Sequence, residues 1–169
     1  MRYITYISAL TVTPAVLRCM RENSGDTSAA FRIIDANLNR LREALRVVEE
    51  YYRFSVADTL RAADLKGMRH ALVAIERRIG RERLLQSRDT QRDPFSSANR
   101  PEELDRKDLL DVVCANLKRA QEAARVIEEY TKITADPDCS EQAKKVRFGL
   151  YAFEKHVAEC LADAQKEES

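Results

Sequence analysis

Apolar residues recur at steps of three and four along most of this chain, the spacing that places them on one face of a helix. One such stripe runs from Phe31 to Tyr52, and a second runs from Leu60 to Ile79. The polar segment 24–28 precedes the first stripe and is rich in side chains that cap helix N-termini. The pattern predicts one helix that begins after this turn and a second helix close behind it.

Smaller residues mark the ends of these two helices. Ser55 is expected to cap the second helix, and Gly80 is expected to end it, since glycine readily closes a helix C-terminus. Gly67 lies inside the second stripe, where glycine weakens a helix, so a close packing contact is expected there. A further short helix is predicted over residues 82–86.

The second half of the chain predicts another hairpin of the same kind. A third stripe runs from Leu109 to Tyr130, in a helix expected to begin by Asp108, and a fourth helix is expected to open at Ser140. The two hairpins are joined by a polar loop, residues 87–104, which is long for a plain connector in a small bundle.

These stripes predict an all-α protein, a four-helix bundle made of two duplicated helical hairpins with pseudo-twofold symmetry. A shift of 79 residues aligns 35–54 with 114–133 and gives eleven identities in twenty positions. The predicted N-terminal extension covers residues 1–28, and a single domain covers residues 29–165. Within this domain the two hairpins cover residues 29–80 and 105–165.

Composition narrows the function classes. The 169-residue chain has a formal net charge of +1, which argues against a nucleic-acid-binding bundle. Its most apolar segment, near the N-terminus, is too short and too polar to span a membrane. The four cysteines lack a Cys-x-x-Cys spacing, which predicts free thiols in a cytoplasmic protein. Neither histidine lies in a Glu-x-x-His sequence, so the pattern excludes a di-iron carboxylate bundle.

Polar residues that are identical in both halves are the first candidates for function. Four of them lie on matching helix stripes beside the apolar face: Asn37, Arg40, Asn116 and Arg119. An arginine in a half-buried position needs an anionic partner, because an unpaired buried charge is costly. That partner is either a carboxylate of the hairpin mate, Glu76 or Glu154, or a bound anion such as phosphate. The residues alone leave both interpretations open.

Charged residues also repeat on the flank of this stripe, where they are expected to be exposed and to pair within their own helix. They are Glu43, Arg46, Glu49 and Glu50 in the first half, and Glu122, Arg125, Glu128 and Glu129 in the second.

The polar loop carries a further group, Arg88, Asp89 and Thr90. A carboxylate can hold Mg²⁺ while arginine and threonine hold phosphate oxygens, which are the parts that phosphoryl transfer needs. The same residue types are also ordinary turn formers.

These segments together resemble a bacterial all-α family. The resemblance rests on residues 34–50, on Ser87-Arg88-Asp89-Thr90 with Asp93, and on Asp108-Leu109 with residues 115–122. The family is that of the monofunctional hydroxymethylpyrimidine phosphate kinases of thiamine biosynthesis, whose domain occurs alone or in front of thiamine-phosphate synthase. The resemblance implies ATP-dependent phosphorylation of hydroxymethylpyrimidine phosphate to the diphosphate, with Mg²⁺ accompanying ATP as cofactor.

The resemblance also suggests roles for particular residues. Arg40, Arg119 and Lys118 are expected to act catalytically by neutralising phosphate charge. Substrate contacts are expected from four residues, Asn37, Asn116, Arg88 and Thr90, and metal binding from Asp89. Because the nucleophile is already an anionic phosphate oxygen, the reaction needs positioning and charge neutralisation rather than a strong general base.

An alternative of a different class is a non-catalytic helical interaction or dimerisation domain, related to the N-terminal part of thiamine-phosphate synthase fusions. The two interpretations differ in whether the repeated asparagines and arginines meet at an open cleft or pair with Glu76 and Glu154. The expected partners are a small-molecule substrate and ATP, with neither nucleic acid nor membrane, and a homodimer is left open.

Overall fold

The computed structural model describes residues 23–91, 105–134 and 136–167, and these form five α-helices with no strand among them. The helices are α1 (Asn23–Glu50), α2 (Thr59–Ile79), α3 (Arg81–Ser87), α4 (Leu109–Tyr130) and α5 (Pro137–Glu167). A π-helical turn, Tyr51–Ser55, continues α1. The predicted all-α class is therefore confirmed. Most of the predicted N-terminal extension and most of the polar loop, residues 1–22 and 92–104, lie outside the described residues.

The four long helices bury their apolar stripes in one shared core. Helix α1 packs most extensively on α4, and the remaining contacts join α4 to α5, α1 to α2, and α2 to α5. The short helix α3 folds back against α1. The largest fully buried side chains are contributed by every helix: Ile34, Leu38, Leu41, Leu45, Leu65, Leu72, Ile75, Leu84, Leu117, Ile127 and Leu150 among them.

The first helix begins earlier than the apolar pattern predicts. Residues 24–28 are not a turn before α1 but belong to its first turns. Asp26 places a carboxylate in the first turn, where it interacts favourably with the helix dipole. A helix of 28 residues with a long buried face tolerates weak helix formers at one end.

Two predicted helix caps were also wrong. Ser55 lies in the π-helical turn, and Asp58 caps α2 instead, accepting a hydrogen bond from the backbone N–H of Arg61 at 3.0 Å. Helix α5 opens at Pro137 rather than at Ser140, because proline suits the first position of a helix.

The predicted start of α4 is confirmed, since the Asp108 side chain caps this helix by accepting a hydrogen bond from the backbone N–H of Asp111 at 2.8 Å. The short helix predicted over residues 82–86 is also confirmed, as α3.

Gly80 ends α2 with φ +99°, a region that residues with a side chain rarely adopt, whereas the close contact predicted at Gly67 is absent. A Cβ added at Gly67 would meet no heavy atom within 4 Å. We therefore expect Gly80→Ala to lower the free energy of unfolding by about 1–3 kcal/mol. We expect Gly67→Ala, its matched control, to raise it by about 1 kcal/mol. Urea denaturation measures both, and the same sign for the two changes would contradict this explanation.

The described cysteines are free thiols, as predicted: Cys114, Cys139 and Cys160. Burial raises the pKa of the Cys139 thiol to about 11, so it stays protonated at neutral pH. In the described part of the chain, no helix is long and apolar enough to cross a membrane.

Candidate functional site

Glu76, one of the two carboxylates considered as partners of the repeated arginines, pairs with other residues. Arg42 of α1 lies 2.6 Å from the Glu76 carboxylate and also donates to Asn39 Oδ1 at 3.1 Å. Arg81 of α3 approaches the same carboxylate at 3.7 Å. Glu76 is thus satisfied without Arg40.

The second half repeats this arrangement with the positive charge at a different position. Glu154 of α5 accepts a hydrogen bond from Gln121 at 2.9 Å and forms an ion pair with Lys118 at 2.8 Å. Both contacts lower the pKa of Glu154 and keep it ionised. Under the 79-residue shift Lys118 replaces Asn39 and Gln121 replaces Arg42, so in each half the first helix of the hairpin supplies one cation to the carboxylate. Lys118, predicted to be catalytic, therefore lies in an ion pair within its own half.

Arg40 and Arg119 are both exposed, and neither forms an ion pair or hydrogen bond within the described residues. Glu43 and Glu122, one helical turn further on, are exposed but do not pair with them. The ion-pair interpretation of these two arginines, with Glu76 or Glu154 as partner, is not what the structure shows.

The two arginines lie at the same level of the α1–α4 pair. Val47, near the end of α1, and Val112, near the start of α4, line one cavity of about 520 Å³, so the two helices run antiparallel. Seven residues back from Val47 lies Arg40, and seven residues forward from Val112 lies Arg119. Each step moves about 10 Å in the same direction and returns to nearly the same helix face. Two exposed arginines without a carboxylate partner among the described residues therefore lie at the same level of the α1–α4 pair and on nearly the same face, an arrangement that favours a bound anion.

Asn37 and Asn116 lie one turn before these arginines on their respective helices. Each donates its Nδ2 to a backbone carbonyl of its own helix, Asn37 to Ile33 and Asn116 to Val112, in both cases at 2.8 Å. The side-chain amide oxygens have no hydrogen-bond partner among the described residues. They remain able to accept a hydrogen bond from a ligand.

The start of the polar loop is held against α1 by a separate set of ion pairs. Arg88 contacts Asp35 in bidentate fashion, at 2.7 and 2.8 Å, and Asp35 is only 7% exposed. Arg32 donates to the backbone carbonyl of Asp89 at 2.9 Å. Arg88 and Asp35 line a small polar cavity of about 180 Å³, which Arg42 and Glu76 also reach. Arg88 is thus engaged with Asp35, an interaction that the sequence did not suggest because the second half has Cys114 there.

The predicted metal ligand lies beside a positive charge. The Asp89 carboxylate is 3.8 Å from Arg32, and Thr90 next to it is exposed. Across residues 23–91, 105–134 and 136–167, no group of three or more His, Cys, Asp or Glu side chains converges on one point. The described residues therefore hold no preformed multi-carboxylate centre. Nucleotide-bound Mg²⁺ needs only one or two protein carboxylates, and Asp89 fits that smaller requirement.

Two buried ion pairs were missed by the sequence analysis, which placed Glu49 and Glu128 on the exposed flank. Glu49 is 4% exposed and lies 2.6 Å from Arg69 of α2, although this approach is not aligned for a hydrogen bond. Glu128 is 5% exposed and accepts from Arg147 of α5 at 2.9 Å, with a second guanidinium nitrogen at 2.7 Å. One sequence feature points to these ion pairs: the glutamate and the arginine of the first pair are both identical to their equivalents in the second half.

Comparison with known proteins gives one matching family and several curated relatives. The sequence profile of the ThiD2 family matches residues 32–156. A thiamine-phosphate synthase of Thermosynechococcus vestitus is 45% identical over 124 residues, which are 73% of this chain and 34% of that protein. The thiamine-phosphate synthases of Gloeobacter violaceus and Rhodopirellula baltica are 42% and 38% identical, each over 76% of this chain. The chain spans about a third of the length of these relatives. No solved structure matches it significantly.

Proposed function

The chain belongs to the ThiD2 family, and from this premise we propose that it phosphorylates hydroxymethylpyrimidine phosphate with ATP, yielding the diphosphate and ADP in thiamine biosynthesis. The transferred group is the terminal phosphoryl of ATP, and the acceptor is an oxygen of the pyrimidine's phosphate. This reaction brings several negative charges together, so its main requirement is a set of positioned cations.

The observation that carries this proposal is the matched position of Arg40 and Arg119 on two different helices. They are equivalent under the internal repeat, lie level on one face, and lack a carboxylate partner among the described residues. Most other arginines of the described chain have a carboxylate or an aromatic ring beside them, as Arg42 and Arg125 do. A guanidinium pair kept free of internal partners is well suited to hold a phosphate.

The remaining predicted residues fit supporting roles in the same reaction. The free amide oxygens of Asn37 and Asn116 are suited to accept a hydrogen bond from the exocyclic amino group of an aminopyrimidine. Lys118 is 64% exposed at its side chain, so it is available to turn from Glu154 towards a phosphate. Arg88 and Thr90 remain candidates for phosphate contacts at the start of the polar loop.

We propose that Mg²⁺ enters as part of the ATP complex, with Asp89 as its single protein ligand. The Asp89 side chain is 30% exposed. Its neighbour Arg32 supplies a positive charge suited to the nucleotide phosphates, because arginine binds phosphate oxygens readily. A Mg²⁺ ion held there would supply charge neutralisation for the phosphate oxygens of the nucleotide.

The proposal is tested by a coupled assay with hydroxymethylpyrimidine phosphate, ATP and Mg²⁺. We expect diphosphate and ADP to form in equal amounts. The matched control is Arg40→Ala/Arg119→Ala, which should form neither product above background. Absence of product from the wild-type chain, with circular dichroism showing it folded, would exclude the kinase.

The alternative, a non-catalytic interaction or dimerisation domain, is favoured by one feature. Phe54 and Leu109 are 69% and 62% exposed and line the same cavity as Val47. Apolar side chains grouped in this way are typical of protein contact surfaces. A homodimer formed through this face is also compatible with catalysis. Analytical ultracentrifugation of the wild-type chain and of Phe54→Ser tests the dimer separately from the assay.

We infer that the two hairpins, α1–α2 and α4–α5, derive from one duplicated unit and form a four-helix bundle with pseudo-twofold symmetry. The support comes from contacts that recur under the repeat. Arg46 lies 2.6 Å from Glu50, and Arg125 lies 2.7 Å from Glu129. The buried Glu–Arg pairs between the helices of each hairpin recur in the same way.

A further inference from the structure

A third cavity lies at the end of the bundle where the π-helical turn meets α2, α4 and α5. Its volume is about 410 Å³, within the range of small-molecule sites. Most of its wall is apolar or aromatic: Tyr51, Tyr52, Val56, Leu110, Val157 and Leu161. The polar groups that reach it are Asp58, Arg61, His156 and Cys160. A mainly apolar cavity with a few converging polar groups is the usual composition of a ligand site.

One polar group in this wall is not used by the described part of the protein itself. Tyr52 is 4% exposed, and its hydroxyl forms no hydrogen bond with any described residue. Its ring is held on two sides, edge to face against Tyr51 at 5.4 Å and against Phe153 at 5.9 Å. The hydroxyl of this ring is not among the fully buried atoms, although the ring is, so it is accessible to water or to a ligand in the cavity. A fixed tyrosine ring with an accessible hydroxyl can orient a ligand by a single hydrogen bond.

The internal repeat supplies a comparison, because the equivalent residues in the other half make different contacts. Arg78 there replaces His156 and contacts Asp136, the equivalent of Asp58, through two hydrogen bonds of 3.0 and 2.8 Å. Thr131 replaces Tyr52, is fully buried, and donates its hydroxyl to its own helix.

At the cavity end, the same carboxylate is engaged differently. Asp58 pairs with Arg61 of its own helix, so His156 is left without a carboxylate. The His156 ring instead lies 3.4 Å from Arg61 and 3.4 Å from the Cys160 sulfur. The two ends of the repeat thus differ in the partner of this carboxylate: an arginine of the other hairpin pairs with Asp136, whereas an arginine of its own helix pairs with Asp58.

We propose that this cavity binds a neutral aromatic heterocycle of one or two rings, whose ring nitrogen accepts a hydrogen bond from the Tyr52 hydroxyl. The aromatic walls favour a flat ring. The internal Asp58–Arg61 pair leaves the cavity without a net charge to attract an ion. The proposal does not rest on the kinase, since Tyr51 lies eleven residues from Arg40, about 16 Å along the helix axis.

The test is an NMR titration of the full chain with adenosine and with 4-aminopyrimidine as probes, and with toluene as a probe that lacks the ring nitrogen. We expect saturable shifts of the methyl signals of Leu110, Val157 and Leu161 and of the His156 ring. Tyr52→Phe should weaken binding of a nitrogen heterocycle about fivefold, the value of one neutral hydrogen bond, and leave toluene binding unchanged. Tyr151→Phe, which removes a hydroxyl outside the cavity, should change neither.

Leu161→Trp provides a second variant, since it fills the cavity from a partly exposed position and should abolish binding of all three probes while leaving the fold intact. Several results would overturn the proposal. They are no saturable shift with either heterocycle, shifts confined to residues outside the cavity, or equal heterocycle affinity in the wild-type chain and in Tyr52→Phe. Loss of kinase activity in Arg119→Ala with unchanged heterocycle binding would separate this site from the arginine face.

Discussion

Arg119→Ala is expected to lower turnover of hydroxymethylpyrimidine phosphate by at least about a hundredfold, the usual effect of removing one charge-stabilising group from a transition state. Its unfolding free energy should change by less than about 0.5 kcal/mol, because exposed side chains without partners contribute little to stability. Arg119 is exposed and has no ion pair among the described residues. Initial rates at saturating ATP and a urea denaturation curve measure the two quantities.

Arg77→Ala is the matched control for this experiment. Arg77 is also an exposed helical arginine without an ion pair among the described residues, but it lies on α2, away from the α1–α4 face. The control should keep wild-type turnover. A loss of stability of several kcal/mol in Arg119→Ala, or equal loss of activity in both variants, would contradict the assigned role. Arg40→Ala then shows whether the two halves contribute equally, since the repeat makes Arg40 the equivalent position.

Glu128→Ala is expected to lower the free energy of unfolding by about 3–5 kcal/mol, the cost of leaving a buried charge without its partner. Glu128 bridges two helices: Arg147 of α5 lies 2.7 Å away, and Arg125 of its own helix lies 2.9 Å away. The Arg147 side chain is only 11% exposed, so water cannot replace the lost carboxylate fully. Urea denaturation followed by circular dichroism measures the change.

The neighbouring residue supplies the control. Glu129 is 40% exposed at its side chain and pairs with Arg125 and Lys132, so Glu129→Ala should cost less than about 1 kcal/mol. In Glu128→Leu/Arg147→Met, both charges are removed together, and much of the lost stability should return. The interpretation fails if Glu128→Ala and Glu129→Ala are equally stable.

The helices themselves were predictable from sequence because their apolar stripes are long and regular. Position along a stripe also predicted that Arg40 and Arg119 would occupy equivalent places. The helix ends at residues 24–28 and at Ser55 were predicted wrongly. Capping residues compete over two or three neighbouring positions, and packing of the long helix decides between them.

The flank residues illustrate a different limit. Glu49 and Glu128 lie at the border of the apolar stripe, where helical periodicity cannot tell a solvent-facing carboxylate from one covered by a neighbouring helix. Only the positions of α2 and α5 bring Arg69 and Arg147 over them. The sequence shows that these residues are the same in both halves, but it does not show that the glutamate and the arginine lie close together in space.

The sequence by itself determined that this protein is all-helical and internally repeated, and it singled out the repeated asparagines and arginines. It determined these features because helix formation and amphipathic burial depend on residues within a few turns of one another. The tertiary structure decided which charges are paired. It placed Arg42 against Glu76 and Lys118 against Glu154, left Arg40 and Arg119 exposed, and gave Asp58 and Asp136, which are equivalent in the repeat, different arginine partners. Such choices depend on groups brought together from distant parts of the chain, where a shift of a few ångströms changes the partner.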